Sequence, residues 1–384
     1  MASLQDVLKV VDWQNTLPSD SLKVISLIDR CHTASMGYHS YCCKDKACKH
    51  VHVQYHGCRN RHCPHCGSHK AKTWMENRLQ ELLPVKYFHV VFTLPSELKD
   101  LVFINRKVLF TLLFDSSSHC LLASFKQKLN VTPSISSVLH TWGQQLDFHP
   151  HIHCIVSGGG VDKQNNWVDV KGNGKYLFPY KVMATLFRGY FMDKLAQLVE
   201  QNNIKLPRDF DWGQLKYKLY QKEWIVYAKN PMGNASQVIE YLGRYTQKIA
   251  ISNHRIKCID DQKNVHFYYK DYRDAGKRKL MVLKGEEFIR RFAQHILPAK
   301  FVRIRHYGIL GNYKRRERIN NILQKMNVPK HPDKIKVPWE IEQLSKMGCS
   351  EMICPKCKKS PMILLNVCSP QKSRDGPIKT DLAA

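Results

Sequence analysis

Three histidines, His149, His151 and His153, alternate with other residues and run through Cys154-Ile155-Val156 into a glycine triplet at 158–160. The apolar residues favour a strand, and in a strand residues two apart share one face. All three imidazoles would then project from the same side, and neutral imidazole is a common ligand for divalent metals. The competing reading is a buried strand whose histidines hydrogen-bond to neighbours. A lone histidine would favour that reading; three in phase favour a metal.

Tyr241 and Tyr245 stand four apart, in Glu240-Tyr-Leu-Gly-Arg-Tyr-Thr-Gln-Lys248. On a helix they share a face. Core packing would use the same spacing, because Val238, Leu242 and Ile249 continue the stripe. Gly243 interrupts a good helix-forming run, however, and Arg244 and Lys248 surround the phenols with positive charge. Tyrosine can act as a covalent nucleophile. With a phenol pKa near 10, it needs nearby cations to attack a phosphodiester. A metal held by histidines would polarise and orient the phosphate.

Cysteines crowd between 31 and 66 (Cys31, Cys42, Cys43, Cys48, Cys58, Cys63 and Cys66). Cys63-Pro-His-Cys66 has the two-residue gap of a zinc knuckle, and Cys43 with Cys48 could supply the other half of a tetrahedral site. The surplus ligands Cys31, His39, Cys58 and His62 allow a second zinc. Arg59 and Arg61, inside the knuckle, suit phosphate contacts. Towards the C-terminus, Cys354-Pro-Lys-Cys357 repeats the two-residue gap, with Cys349 and Cys368 as loosely spaced partners.

The 384 residues carry 60 Lys and Arg against 32 acidic residues, a formal charge of +28. That excess points to a polyanion. The basic residues sit among Tyr, Trp and His rather than in one amphipathic helix, so nucleic acid is expected and a membrane surface is not. No apolar run reaches the roughly 20 residues of a membrane span, and the N-terminus lacks the pattern of a signal peptide. An intracellular, cytoplasmic location follows, where thiols stay reduced and 14 cysteines point to metal sites.

The elements that must position these residues read in order. Helices are expected over 4–14, after Ser19 or Asp20, and over 69–83. A central strand follows at 87–94, and residues 96–129 are mostly helical. Strands at 135–142 and 149–157 are joined through Gly143-Gln-Gln-Leu-Asp147 as a hairpin. Further helices fall at 181–201, 235–248 and 285–297 and around Lys314–Arg318. Shorter strands fall near 223–228, 254–259, 264–270, 279–283 and 301–305.

Taken together, Cys58-Arg-Asn-Arg-His-Cys-Pro-His-Cys66, His149-Pro-His-Ile-His153, Tyr241-Leu-Gly-Arg-Tyr245, Val302-Arg-Ile-Arg-His-Tyr-Gly308 and the pair Cys354/Cys357 resemble the two-tyrosine transposases of the insertion sequence 91 family. These are HUH single-strand nucleases that transpose by a rolling-circle route. Each motif is short; five in order are specific, and they span most of the chain. The resemblance implies an α+β fold, with a central antiparallel sheet and flanking helices preceded by a small zinc-binding domain. His151 and His153 would be ligands of Mg2+ or Mn2+, and Tyr241 and Tyr245 the nucleophiles. Arg59, Arg61, Arg244, Lys248, Arg303 and Arg305 would contact DNA. The third ligand stays open among His149, Gln144 and Gln247. The upstream cysteine pair departs from the family's two-residue spacing, so Cys42 or His50 could substitute there.

The domains expected are 1–84 (N-terminal helices and structural zinc), 85–326 (catalytic) and 327–384 (a basic tail that admits a zinc knuckle). The expected enzyme is a bacterial, nucleoid-associated transposase. It would nick and rejoin single-stranded DNA at element ends and target through 5'-phosphotyrosine. The rivals are a replication initiator or relaxase with the same chemistry, and a zinc-dependent DNA-binding regulator without catalysis.

Overall fold

A computed structural model describes residues 2–67, 78, 80–171, 177–232, 238, 243, 249–330 and 352–370. Helices α1 (Leu4–Val10) and α2 (Ser19–Asp29) precede strands β1 (Tyr38–Cys43), β2 (Val51–Tyr55) and β3 (Tyr87–Thr93). Helices α3 (Lys99–Ile104) and α4 (Arg106–Leu129) lead to β4 (Thr132–Trp142), β5 (Phe148–Val161) and β6 (Trp167–Asp169). Next come α5 (Tyr180–Glu200), α6 (Trp212–Gln221), β7 (Val226–Met232), β8 (Ile256–Ile259), β9 (Asn264–Asp271) and β10 (Lys277–Lys284). The chain continues with α7 (Gly285–Gln294), β11 (Ile304–Gly308), α8 (Arg315–Lys325) and β12 (Met362–Cys368). The protein is therefore α+β, with antiparallel sheets and helices.

The chain divides into two compact units, one of residues 1–22 and 67–332, the other of 23–66 and 333–384. In the larger unit a six-stranded sheet runs β11-β4-β5-β3-β7, with β6 beside β5. Every described pairing in it is antiparallel. Strand alternation sorts its side chains. Phe88, Val90 and Phe92, Ile135 and Leu139, and Ile152, Cys154 and Val156 join Phe110 and Phe114 of α4 and Phe187 and Phe191 of α5 in one buried cluster. Burying each such phenylalanine contributes roughly 2–3 kcal/mol. The residues in between, including the histidines of β5, must face the other way. A slip of one residue would bring imidazole into this core.

Helix α4 corrects one expectation from the sequence: its 24 residues are long and apolar enough to cross a membrane. They pack on β4, β5 and α5 with 67% of the apolar window buried, the position of a core helix. The glycine triplet has a structural cause. A Cβ on Gly159 would meet the Val168 carbonyl oxygen at 2.4 Å, and one on Gly160 the Thr132 carbonyl oxygen at 2.5 Å. Only glycine lets β6 and β4 approach the end of β5 this closely.

Two smaller sheets complete the fold. In the larger unit β10-β9-β8 form a three-stranded sheet that packs Phe267 against Phe288 of α7, ring centroids 5.5 Å apart. In the other unit β12-β1-β2 form a sheet in which Tyr38 pairs with Cys368, so the C-terminal segment closes onto the N-terminal cysteine module.

The β4–β5 turn falls on residues 143–147 as expected, with the Gly143 amide donating to the Asp147 carbonyl at 3.0 Å. His295 fastens this turn from α7. Its Nε2–H donates to the Leu146 carbonyl at 3.2 Å, and its Nδ1 accepts from the Thr141 hydroxyl at 3.2 Å. Burial holds its pKa down at about 4, below the ordinary 6.5. The contribution of the neutral ring is therefore complete above pH 6.5 and is lost as pH falls through about 4. Urea unfolding between pH 7 and pH 4 should lose about 3 kcal/mol from this group. His295→Gln should make the pH slope shallower; an unchanged slope would show that the ring is not held neutral.

Candidate metal centres

Three clusters of ligand atoms stand out among the described residues, each with all its atoms within 4.8 Å of one another. Two are made of cysteine. Cys31, Cys58, Cys63 and Cys66 form the first; Cys43, Cys48, Cys354 and Cys357 form the second. A tetrahedron with Zn–S near 2.3 Å has S···S edges of about 3.8 Å. The Sγ···Sγ distances are 3.5 Å for Cys31–Cys66, 3.6 Å for Cys31–Cys63 and 3.8 Å for Cys58–Cys66. In the second cluster they are 3.7 Å for Cys43–Cys357 and 3.8 Å for Cys48–Cys354. These are far beyond a disulfide's 2.05 Å. Backbone amides already point at the sulfurs, as from Cys58 to Cys31 at 3.2 Å and from Arg59 to Cys66 at 3.3 Å. The amides of Lys359 and Ser360 help hold Cys357 down at about 6, which favours the thiolate. Both sets fit structural Zn2+.

The expected pairing is corrected by this arrangement. Cys43 and Cys48 do not share a site with Cys63 and Cys66; they close with Cys354 and Cys357, because β12 pairs with β1 and brings the distant knuckle alongside. Cys31 and Cys58 are full members of the first cluster rather than surplus. The expected alternates are outside both: His39 Nδ1 shares a hydrogen with His56 Nε2 at 2.8 Å, and Cys42, His50 and His62 belong to neither set. Cys349 lies outside the described residues.

The third cluster is His140, His151 and His153. Antiparallel pairing of β4 and β5 sets His140 opposite His151 and Val138 opposite His153, so the three imidazoles rise from one face. His151 donates from Nδ1 to the His149 carbonyl oxygen at 2.6 Å, leaving Nε2 as its acceptor nitrogen. His153 Nδ1 and His89 Nε2 are 2.7 Å apart, with the rings stacked at 5.0 Å. His89, 5% exposed on β3, is placed to orient His153 as a supporting partner orients a metal ligand. Trp142 stacks on His140 at 4.6 Å.

His149, expected as a candidate third ligand, is not a member of this cluster. Between His140/His151 and Trp142/Phe148 the register shifts, so β5 carries one extra residue around His149-Pro150. Such a bulge re-aims a side chain. His149 meets His151 through its carbonyl oxygen, and His140 is the third imidazole of the cluster. Gln144 sits in the turn, its Oε1 facing the Lys270 amide at 3.4 Å. Tyr241, Tyr245, Arg244, Gln247 and Lys248 lie outside the described residues; of their expected helix, Val238 and Gly243 are helical and Val238 is fully buried.

Arg303 and Arg305 were both expected to contact DNA. Arg303 is 8% exposed. The Arg305 guanidinium lies 4.4 Å over the Phe114 ring, 3.1 Å from Thr111 Oγ1 and 3.8 Å from Asp115, on the helix-covered side of the sheet. Of the knuckle arginines, Arg59 is exposed and Arg61 half-buried. His140 and His89 were both missed by sequence reasoning. Each lies in a strand that was expected, and the missing information was the register between strands.

Metal analysis of the full chain should find two Zn2+. Cys354→Ser with Cys357→Ser should remove one, and Cys31→Ser with Cys58→Ser the other. Loss of both on the tail substitutions alone would mean that the sites are not independent.

The family model described as "Transposase zinc-binding domain" matches residues 3–94, and the one described as "Putative transposase" matches 135–318. The chain is 36% identical over 368 residues to "Putative transposase y4qJ" of Sinorhizobium fredii (strain NBRC 101917 / NGR234), covering 92% of this chain and 90% of that one. It is 30% identical over 307 residues to "Transposase for insertion sequence element IS801" of Pseudomonas savastanoi pv. phaseolicola, covering 78% and 74%. No solved structure matches it. With two tetrathiol zinc sets and relatives of this extent, the chain belongs to the insertion sequence 91 family of transposases, DNA-cleaving and strand-transferring enzymes with a zinc-binding domain.

Proposed function

We propose that this transposase is a two-tyrosine HUH nuclease that cuts and rejoins single-stranded DNA at the ends of its element, driving rolling-circle transposition. The observation that carries the reading is the convergence of His140, His151 and His153 on one face of an antiparallel sheet. Three imidazole donors suit a transition ion better than Mg2+, so Mn2+ is the better fit of the two. Bound there, it would supply Lewis-acid polarisation of the scissile phosphate.

The protein's own groups do the rest. Tyr241 or Tyr245 attacks phosphorus as the phenolate, forming a phenol O–P bond as the P–O3' bond breaks. The 3'-hydroxyl departs with a proton, and the 5'-phosphate stays on tyrosine. Attack by a 3'-hydroxyl of another strand reverses these changes and regenerates the phenol. Arg244 and Lys248 would offset the charge of phenolate and phosphate, and a second tyrosine would permit a second transfer. Arg59 and Arg61 would contact phosphates from the zinc module. Catalysis would reside within 85–326, in an enzyme working at the nucleoid.

Mn2+ titration should show one site that His140→Ala abolishes and His89→Ala weakens about 10- to 100-fold. His149→Ala should retain it. If His149→Ala abolishes it and His140→Ala does not, the assigned triad is wrong.

Labelled single strands from element ends, incubated with Mn2+, should yield an adduct that survives denaturation. Tyr241→Phe with Tyr245→Phe should abolish it, and His151→Ala with His153→Ala should reduce it by about 100-fold or more. DNA binding without any adduct would favour a zinc-dependent regulator instead.

A further inference from the structure

The hairpin of β9 and β10 divides its charges between its two faces. On one face Lys279 pairs with Asp271 at 2.8 Å and with Asp274 at 3.0 Å, and Lys277 pairs with Asp274 at 2.9 Å. On the other face Lys270 and Arg278 stand directly opposite each other, and Lys284 follows further along β10. All three are exposed, and among the described residues none makes an ion pair. Like charges directly across strands are destabilising. A face that keeps them together is suited to an anion lying between them.

The same face carries planar and apolar groups. The Arg278 guanidinium lies 3.6 Å over the Tyr268 ring centroid. Leu280, opposite Tyr268, and Val282 are 42% and 48% exposed. A stacked guanidinium–tyrosine pair beside exposed apolar groups, ringed by lysines, combines what unpaired bases and their phosphates need. Bases stack on aromatic and guanidinium planes while cations follow the backbone. Duplex DNA hides its base faces and would not engage this stacked pair.

This face is also tied to the histidine centre. The Lys270 amide meets Gln144 Oε1 at 3.4 Å, and Arg255, just before β8, donates to the Gln144 carbonyl. Arg291 of α7 donates to the Gln145 carbonyl at 3.1 Å. Gln144 and Gln145 form the tip of the β4–β5 turn, and His140 lies two residues inside the end of β4.

We propose that the outer face of β9–β10, with Tyr268, Lys270, Arg278, Leu280, Val282 and Lys284, is a docking platform for single-stranded DNA that leads the strand towards His140, His151 and His153. The proposal rests on the single-strand reading above, but its test needs no chemistry.

The full-length zinc-loaded protein would be titrated, without added divalent ion, into fluorescein-labelled dT30 and into a 30-base-pair duplex, with anisotropy as readout. Lys270→Gln with Arg278→Gln should weaken dT30 binding about tenfold and duplex binding less than about twofold. The slope of log affinity against log salt on dT30 should become shallower by about 1.4, at about 0.7 for each of two phosphates. Tyr268→Ala should weaken dT30 binding about fivefold, while Tyr268→Phe, which keeps the stack, should match the parent. This contrast carries the test if the charge pair proves needed for folding. Lys216→Gln with Lys218→Gln, exposed on α6, should change neither ligand.

Parent-like dT30 binding in the platform variants would overturn the proposal, as would equal losses on dT30 and duplex. In a parallel titration with phosphatidylserine vesicles, a loss confined to the vesicles would assign the face to a lipid surface and overturn it too. Absence of a covalent adduct in the nuclease assay leaves these binding results standing, so the two readings fail separately.

Discussion

The histidine centre depends on the division of the large sheet into an apolar face and a face that carries histidine. Helices α4 and α5 bury the side of β3, β4 and β5 that carries phenylalanine, isoleucine, leucine and valine. With that side fixed by hydrophobic burial, strand geometry sends every second residue to the other side. Alignment of β4 with β5 then opposes His140 to His151. His89 reaches the same face from the other neighbour of β5 and meets His153. No residue of the triad positions itself. Its geometry follows from apolar contacts on the far side of the sheet.

That dependence explains what could be read in advance. The alternation through His151 and His153 was visible because period two is written in consecutive residues. The hairpin turn at 143–147 was visible because its composition shifts sharply from the flanking strands. His140 and His89 were not, since their role follows from which residues lie opposite each other. Pairing register belongs to two segments at once. The bulge at His149-Pro150 was foreshadowed only by the proline, and it leaves out of the cluster a histidine that simple alternation would have kept. Arg303 and Arg305 show a related limit: a basic motif in sequence carries no sign of the face it will take, and Phe114 and Phe301 hold Arg305.

The cysteines show the same limit over a longer range. Spacing identified the knuckle at 63–66, the pair at 43 and 48 and the knuckle at 354–357. Local spacing favoured joining the first two, which are near in sequence. The fold joins them differently because β12 is the neighbour of β1. Each set then has sulfurs at the edge lengths of a tetrahedron, a condition that spacing alone could not test. Gly37 is part of this closure. Its φ is +78°, and a Cβ there would meet the Cys368 carbonyl oxygen at 2.4 Å.

The strand that returns from the far end of the chain also imposes an order in time. A ribosome releases residues 23–66 long before 352–370, so the first zinc set can fill while the enzyme is still being made. The second cannot. Cys43 and Cys48 must wait as open thiols until the sheet segments between have been synthesised and β12 emerges. A polypeptide interrupted by a stop codon or frameshift before residue 354 would lack two of the four sulfurs of that site. Completion of the second set is thus a chemical mark that translation has passed every strand of the large sheet.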